Sequence, residues 1–390
     1  MRPLIVEIKK SPRLLLGSPW IYSNEILKRP DVLKSTQGCV AFCTEDRQIS
    51  GFATYNKHAL ISMRVLTRDP NETIDATWFG EKLKKATALR ESMYPGGYYR
   101  WVYGESDLLP GLVIDRYSDV AVVEVNTAGM DELEPIWLEG FSKSHPQIKT
   151  WIVRRDSRSR DLEQIDIRPP VIHGEPITEA IIGIEGPISF LADLIDGQKT
   201  GWFYDQRANR EIVSKFIKPG MQVLDLFTHT GSFAFYAANK GAFVTAVDIS
   251  QHSLDIAQKA AERFSMSDKI VFKQSDVFDF LKIDNAQYDV VIVDPPAFIK
   301  GKKTYHTGMQ GYIKLITQSI KRVKHGGMMC FTSCSFGLTM PDVYDVIQKA
   351  AAKSHRTLRV LTELSSGMDH PIHPACCEMN YLKGVLIQCD

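Results

Sequence analysis

No apolar run in this sequence approaches the roughly 18 residues that a membrane-spanning helix needs. The N-terminal stretch from Met1 to Lys10 has an apolar part too short, and charged too soon, for a secretory signal. Cysteine is sparse: seven residues, an odd number at irregular spacings. That excludes a disulfide scaffold and predicts reduced thiols in a cytoplasmic protein. Cys39, Cys43 and Cys389 have no neighbouring ligand set, the adjacent Cys376 and Cys377 cannot easily chelate one metal, and zinc-ligand spacing is missing, so no metal is expected. An excess of charge of one sign is missing too. The formal net charge of +1 gives no general attraction to nucleic acid, so any phosphate binding must rest on local patches. Candidates are Lys9, Lys10 and Arg13, then Arg154, Arg155, Arg158 and Arg160, then Lys300, Lys302 and Lys303, each of which reads equally well as solvated surface.

What is present is an ordinary globular composition, 44% hydrophobic and 24% charged, over 390 residues. At roughly 100–200 residues per domain that length predicts two or three domains. Residues 1–72 carry short alternating stretches at Leu4 to Ile8, Cys39 to Cys43 and Ile61 to Leu66, an all-β pattern suited to a small barrel, closed by the turn residues Asp69-Pro70-Asn71-Glu72. Residues 73–188 read as a mixed α+β domain: a helix from Trp78 to Met93 stopped by Pro95-Gly96-Gly97, strands at Tyr98 to Tyr103, Leu112 to Asp115 and Val120 to Val125, a helix from about Asp131 to Ser144, and a strand at Thr150 to Arg154. Pro169-Pro170 and Gly183 to Pro187 predict a loop-rich exit. From 189 to 390, apolar runs at Val223 to Phe227, Phe243 to Val247, Ile270 to Lys273, Val290 to Val293 and Met328 to Thr332 alternate with helical stretches, which predicts a Rossmann-like α/β domain around a parallel sheet.

The run Val223-Leu224-Asp225-Leu226-Phe227-Thr228-His229-Thr230-Gly231 is a buried strand entering a tight turn before a helix, a geometry that lets a ligand press against backbone. About twenty residues on, a second strand ends in Asp248, placed to take both ribose hydroxyls of a nucleoside. A third is followed by Ser275-Asp276-Val277-Phe278, which suits an adenine with its amino group on Asp276 and its edge on Phe278. A dinucleotide enzyme would show Gly-x-Gly-x-x-Gly here. The lone Gly231, with Asp225, Asp248 and Asp276 in order, favours S-adenosylmethionine (SAM), which has no pyrophosphate to accommodate.

Asp294-Pro295-Pro296-Ala297-Phe298 follows the Val290 to Val293 strand, at the sheet edge where open α/β folds place their chemistry. The next strand ends in Thr332-Ser333-Cys334-Ser335. Methylating pyrimidine C5 requires a thiolate to add at C6 and a base to remove the C5 proton afterwards. Cys334 is the candidate nucleophile and Asp294, or a water it holds, the candidate base. Taken alone, Cys334 reads as a small buried residue at a strand end, and Cys330 reads as core.

Taken together, these segments resemble the RlmI-type 23S ribosomal RNA (cytosine-5) methyltransferases over nearly the full length. The resemblance is carried by Gly17-Ser18-Pro19-Trp20-Ile21-Tyr22 with Glu25, by Gly104-Glu105-Ser106-Asp107-Leu108-Leu109-Pro110-Gly111-Leu112 running to Asp115-Arg116-Tyr117, and by Gly197-Gln198-Lys199-Thr200-Gly201-Trp202-Phe203-Tyr204-Asp205-Gln206-Arg207. It implies an RNA-binding PUA domain, a central bridging domain and a methyltransferase domain. Gln198, Lys199, Thr200 and Phe203 become cofactor neighbours, joining Asp225, Phe227, Thr228, Thr230, Gly231, Asp248, Ser275, Asp276, Val277, Phe278, Asp294 and Pro295. Asn380-Tyr381-Leu382-Lys383-Gly384 looks like the family's closing strand. His229-Thr230-Gly231-Ser232 departs from the family's Tyr-Thr-Gly-Gly, and Trp202 stands where Phe is usual. The implied partner is large-subunit ribosomal RNA, and a homodimer is compatible with the sequence. Relatives on this scaffold modify other bases, so methylation of guanine or of a base nitrogen stays open, as does a non-catalytic RNA-binding or ribosome-assembly factor. A small-molecule methyltransferase would leave the two preceding domains without a purpose.

Overall fold

The computed structural model describes residues 4–390 apart from 47, 196 and 198–200. The described residues form two compact units, one of residues 4–178 and 369–379, the other of 179–197, 201–368 and 380–390. No helix among them is long and apolar enough to cross a membrane.

In the first unit, Ile5–Ile8, Thr36–Cys43, Ile49–Asn56 and Ile61–Thr67 join two three-residue strands in a six-stranded sheet. One face buries Val6, Ile8, Val40, Phe42, Tyr55 and Met63, the alternation that a half-buried strand requires. A five-stranded sheet follows in the order Arg168–Gly174, Thr150–Arg155, Val120–Val125, Leu112–Tyr117, Tyr98–Tyr103, with Trp101, Trp137, Phe141 and Trp151 in its core. The helix Ala76–Met93 starts two residues before its expected place, because Asp75 caps it by accepting the Trp78 amide at 2.9 Å.

Several expectations are corrected here. The helix expected over 131–144 is two, Ala128–Glu132 and Glu134–Ser144, with Pro135 in the first turn of the second, where its missing N–H costs nothing. The expected loop-rich exit is strand. Pro169 and Pro170 lie in Arg168–Gly174 at the sheet edge, beside a register shift where donors are not needed, and Gly186 with Pro187 turns a hairpin between Ile181–Glu185 and Ile188–Ala192. The candidate basic patch at 154–160 is largely neutralised: Arg154 pairs with Asp156, Arg155 with Asp131 and Glu134, and buried Arg160 with Asp131, leaving Arg158 exposed.

The second unit is built on a seven-stranded sheet in the order Ile270–Gln274, Phe243–Asp248, Gln222–Leu226, Tyr288–Val293, Val323–Ser333, Lys383–Cys389, Leu358–Ser365. The first five are parallel, Lys383–Cys389 runs antiparallel to both of its neighbours, and Leu358–Ser365 beyond it therefore points the same way as the first five. The closing strand thus begins at Lys383, so Asn380 to Leu382 precede it. Leu224, Leu226, Val291, Ile292, Val293, Met329 and Phe331 are fully buried, because helices on the faces of a parallel sheet cover it. The order reverses between Gln222–Leu226 and Tyr288–Val293. A crevice forms at the carboxyl ends of strands where such a reversal occurs.

Candidate active site

Leu226 pairs with Val293, so the turn after the first of these strands and the Asp294 loop after the second lie side by side. Val293 in turn pairs with Phe331, which sets Asp294 beside Thr332.

The turn is conformationally unusual. Phe227 (φ +63°), His229 (φ +52°) and Gly231 (φ +83°) all adopt the left-handed region, which costs a non-glycine residue about 1–3 kcal/mol. Hydrogen bonds hold it: Thr228 donates its hydroxyl to Asp225 (2.6 Å) and its amide to the Val247 carbonyl (3.0 Å), and His229 donates its amide to Asp248 (2.9 Å). Gly231 has no side chain to conflict with its positive φ, and a Cβ there would press on Phe235 at 3.2 Å. Thr230 is buried, and Phe203 stands edge-on to the His229 ring at 5.0 Å.

Asp248 is half-buried, with Oδ2 on the His229 amide and Oδ1 on the Ser250 amide. Asp276 caps the helix Val277–Ile283, its Oδ1 accepting the amides of Phe278 (2.8 Å) and Asp279 (3.1 Å), which leaves Oδ2 outside the cap. The Ser275 amide donates to the Asp248 carbonyl at 2.9 Å, tying these two candidate nucleoside-binding segments together. Val277 is buried and Phe278 half-exposed. Gln198, Lys199 and Thr200 lie outside the described residues.

Asp225 is buried and accepts the Ala234 amide as well as the Thr228 hydroxyl. Burial first, then the charge of Asp294, raises its pKa to about 7 despite the Thr228 hydrogen bond. Asp294 is raised to about 6, by burial first and also by the charge of Asp205, against a hydrogen bond donated by Thr332 (2.7 Å). Carboxylates held this far up lose repulsion when a cation arrives, and SAM carries a sulfonium and an ammonium, so these residues fit that cofactor. Pro295 is buried.

Cys334 follows the last residue of Val323–Ser333, half-buried on a turn between Ser333 and Ser335. Cys330 lies inside the strand, and burial drives its thiol pKa well up, as expected of a core residue. The structure also assembles residues that the sequence reading passed over. Gln206 donates to the Thr332 hydroxyl (3.1 Å), which donates to Asp294. The buried Tyr312 hydroxyl meets those of Ser333 (2.8 Å) and Ser335 (2.6 Å) and accepts the Phe298 amide (3.1 Å). Ile249, directly after Asp248, is 68% exposed and offers an apolar face where an adenine is expected. Hydroxyls at 332, 333 and 335 were the available signal for the first two networks, and an isolated apolar residue after the acidic strand end for the third.

Residues 217–373 match the family described as a methyltransferase domain, and residues 4–68 the family described as a PUA-like domain. With the parallel sheet, the single-glycine turn and the carboxylates at its edge, the chain is a SAM-dependent methyltransferase. It is 32% identical over 394 residues to the ribosomal RNA large subunit methyltransferase I of Alteromonas mediterranea, covering 99% of this chain and 98% of that protein. The protein of the same name from Aliivibrio fischeri (strain MJ11) is 34% identical over 376 residues, 94% of each chain. The chain belongs to the ribosomal RNA large subunit methyltransferase I family, as the sequence motifs implied. A crystal structure described as "a putative methyltransferase complexed with SAH" superposes with a TM-score of 0.82 over 99% of this chain and all of that one; at 21% identity the likeness is one of fold.

Proposed function

We propose that this protein methylates C5 of a cytosine in large-subunit ribosomal RNA, with Cys334 as nucleophile and Asp294 as the base that completes the reaction. The observation that supports the reading is the placement of the Cys334 turn directly after Thr332, whose hydroxyl donates to Asp294 at the carboxyl edge of the parallel sheet. Asp225, the 227–231 turn, Asp248 and the 275–278 segment hold the cofactor, with Phe203 and Pro295 at its margin. When bound, SAM supplies an electrophilic methyl group. Cys334, as thiolate, adds to C6 of the cytosine and makes C5 an enamine carbon. Once C5 carries the methyl, Asp294 accepts the C5 proton, the C5–C6 double bond re-forms and the sulfur–C6 bond breaks, returning the thiolate. A base whose pKa is raised to about 6 is matched to that step near neutral pH. Residues 1–72 serve as the RNA-holding domain, and the unit built on the seven-stranded sheet, which starts at 179, serves as the catalyst.

The test is mass-spectrometric nucleoside analysis of ribosomal RNA from cells lacking the gene, before and after the purified protein and SAM are added. Loss and return of one 5-methylcytosine is expected. C334A is expected to bind SAM normally and to restore nothing. Methylation of a base nitrogen by C334A would make Cys334 structural and the Asp294 to Phe298 loop a base clamp; a wild-type protein that holds no SAM would make the chain an assembly factor.

A further inference from the structure

Phe336 is two residues past Cys334 and 67% exposed, although the turn around it is firmly held. Ser335 and Leu338 are buried, the Leu338 amide donates to the Ser335 carbonyl (3.1 Å), and the Ile299 amide donates to the Ser335 hydroxyl (3.1 Å). A Cβ on Gly337 would meet Ile299 at 2.9 Å, so this turn packs directly on the segment that continues into Lys300. An aromatic ring left in water on a fixed turn has no role in the core.

The adjoining segment is cationic. Lys300, Lys302 and Lys303 are all exposed, and the Thr304 hydroxyl draws them into one turn by accepting the amides of Lys300 (3.0 Å) and Gly301 (3.2 Å). Lys269, Lys282 and Lys324 of the same unit each pair with an aspartate, whereas among the described residues no carboxylate pairs with these three. The chain's net charge is +1, so a local cluster of unneutralised lysines is what can attract phosphate.

We propose that Phe336 with Lys300, Lys302 and Lys303 forms a platform for a single RNA strand: a base next to the target stacks on Phe336 and its phosphates lie along the lysines. This rests on the proposed RNA substrate and adds the surface that holds the strand beside Cys334. Stacking on an aromatic is tolerant of base identity, and backbone neutralisation is tolerant of sequence, so the platform positions rather than specifies. A duplex, whose bases are stacked on each other, cannot use the ring.

The experiment measures anisotropy of a fluorescein-labelled 12-nucleotide single-stranded RNA with one central cytidine, and of a hairpin with the same cytidine paired, over a range of KCl. The full chain is compared with F336A, F336W and the triple variant K300A/K302A/K303A. F336A is expected to weaken single-strand binding about tenfold with an unchanged salt slope, F336W to restore it, and neither to alter hairpin binding. The triple variant is expected to lower the slope of log K against log salt by about 2, from roughly 0.7 per phosphate on a single strand. SAM affinity by calorimetry should match wild type in all three. Wild-type binding of the single strand by F336A or by the triple variant overturns the platform and leaves the methyltransferase reading standing. A wild-type chain that binds SAM but neither RNA overturns the platform together with the proposed RNA substrate.

Discussion

The hydroxyls of Tyr312 and Ser335 lie 2.6 Å apart in the core of the second unit, one residue from Cys334. The same tyrosine oxygen accepts the Phe298 amide at 3.1 Å and meets Ser333 at 2.8 Å, so a single buried group joins the loop after Asp294 to both sides of the cysteine turn. A phenol donates once and accepts the rest, and all of that capacity is used here. Y312F keeps the ring, which stacks on Phe298 at 4.6 Å, but strands the Phe298 amide. It should lower stability by about 1–3 kcal/mol. Methyl transfer should fall about tenfold or more with SAM affinity unchanged, as measured by thermal unfolding, single-turnover kinetics and calorimetry. Full transfer rates in Y312F would mean that the cysteine turn is set by other contacts.

The acid limb of activity should report Asp294. Its pKa is raised to about 6, chiefly by burial, and the Thr332 hydrogen bond opposes that rise. As base it must be ionised, so transfer should fall as pH drops through about 6. T332V keeps the shape and removes the donor, which raises the pKa further. The limb should then move to higher pH by about one unit, so that the rate drops at pH 6.5 and barely changes at pH 8.5. Single-turnover rates across this range decide it, and an unmoved limb would assign the titration to another group.

The α/β alternation of the second unit was legible because strands covered on both faces are continuous apolar runs, as at Val290 to Val293. The Gly231 turn and its following acidic strand ends were legible for the same reason, being fixed offsets from such runs. The Arg154 to Arg160 cluster was not, since nothing local shows that Asp131 and Glu134 fold against it. Pro169-Pro170 misled because an edge strand tolerates proline where a central one does not. Tyr312 sits on the apolar face of the helix Tyr305–Ile320 and reads as plain core; its hydroxyl gains meaning from Ser333 and Ser335, which are distant in sequence.

Asp248 should be felt in cofactor binding before anything else. Its two oxygens fix the His229 and Ser250 amides, and the strained 227–231 turn relies on the first of these. D248A removes both anchors together with the proposed ribose contact and should weaken SAM binding by a hundredfold or so, about 2.7 kcal/mol. D248N retains one acceptor and should fall between. Calorimetric titration with SAM and with SAH measures this, and equal affinities in all three proteins would remove Asp248 from the cofactor site.

Asp225 gives the fold itself a pH dependence. Its pKa is raised from the ordinary carboxylate value to about 7, mostly by burial, so the folded state holds a proton that the unfolded chain has already released at neutral pH. Stability from this group is therefore fully present below about pH 4 and is lost as pH rises through 7. Between pH 6 and pH 8, a folded pKa of 7 against a fully ionised unfolded chain corresponds to a loss of about 1.4 kcal/mol. D225N cannot ionise and keeps an amide oxygen that can accept both the Thr228 hydroxyl and the Ala234 amide, which now share one carboxylate oxygen. Urea unfolding at the two pH values, without SAM, should show wild type losing about that much more stability than D225N on going from pH 6 to pH 8. An identical change in the two proteins would place the titration on a neighbouring carboxylate, with Asp294 next to be replaced.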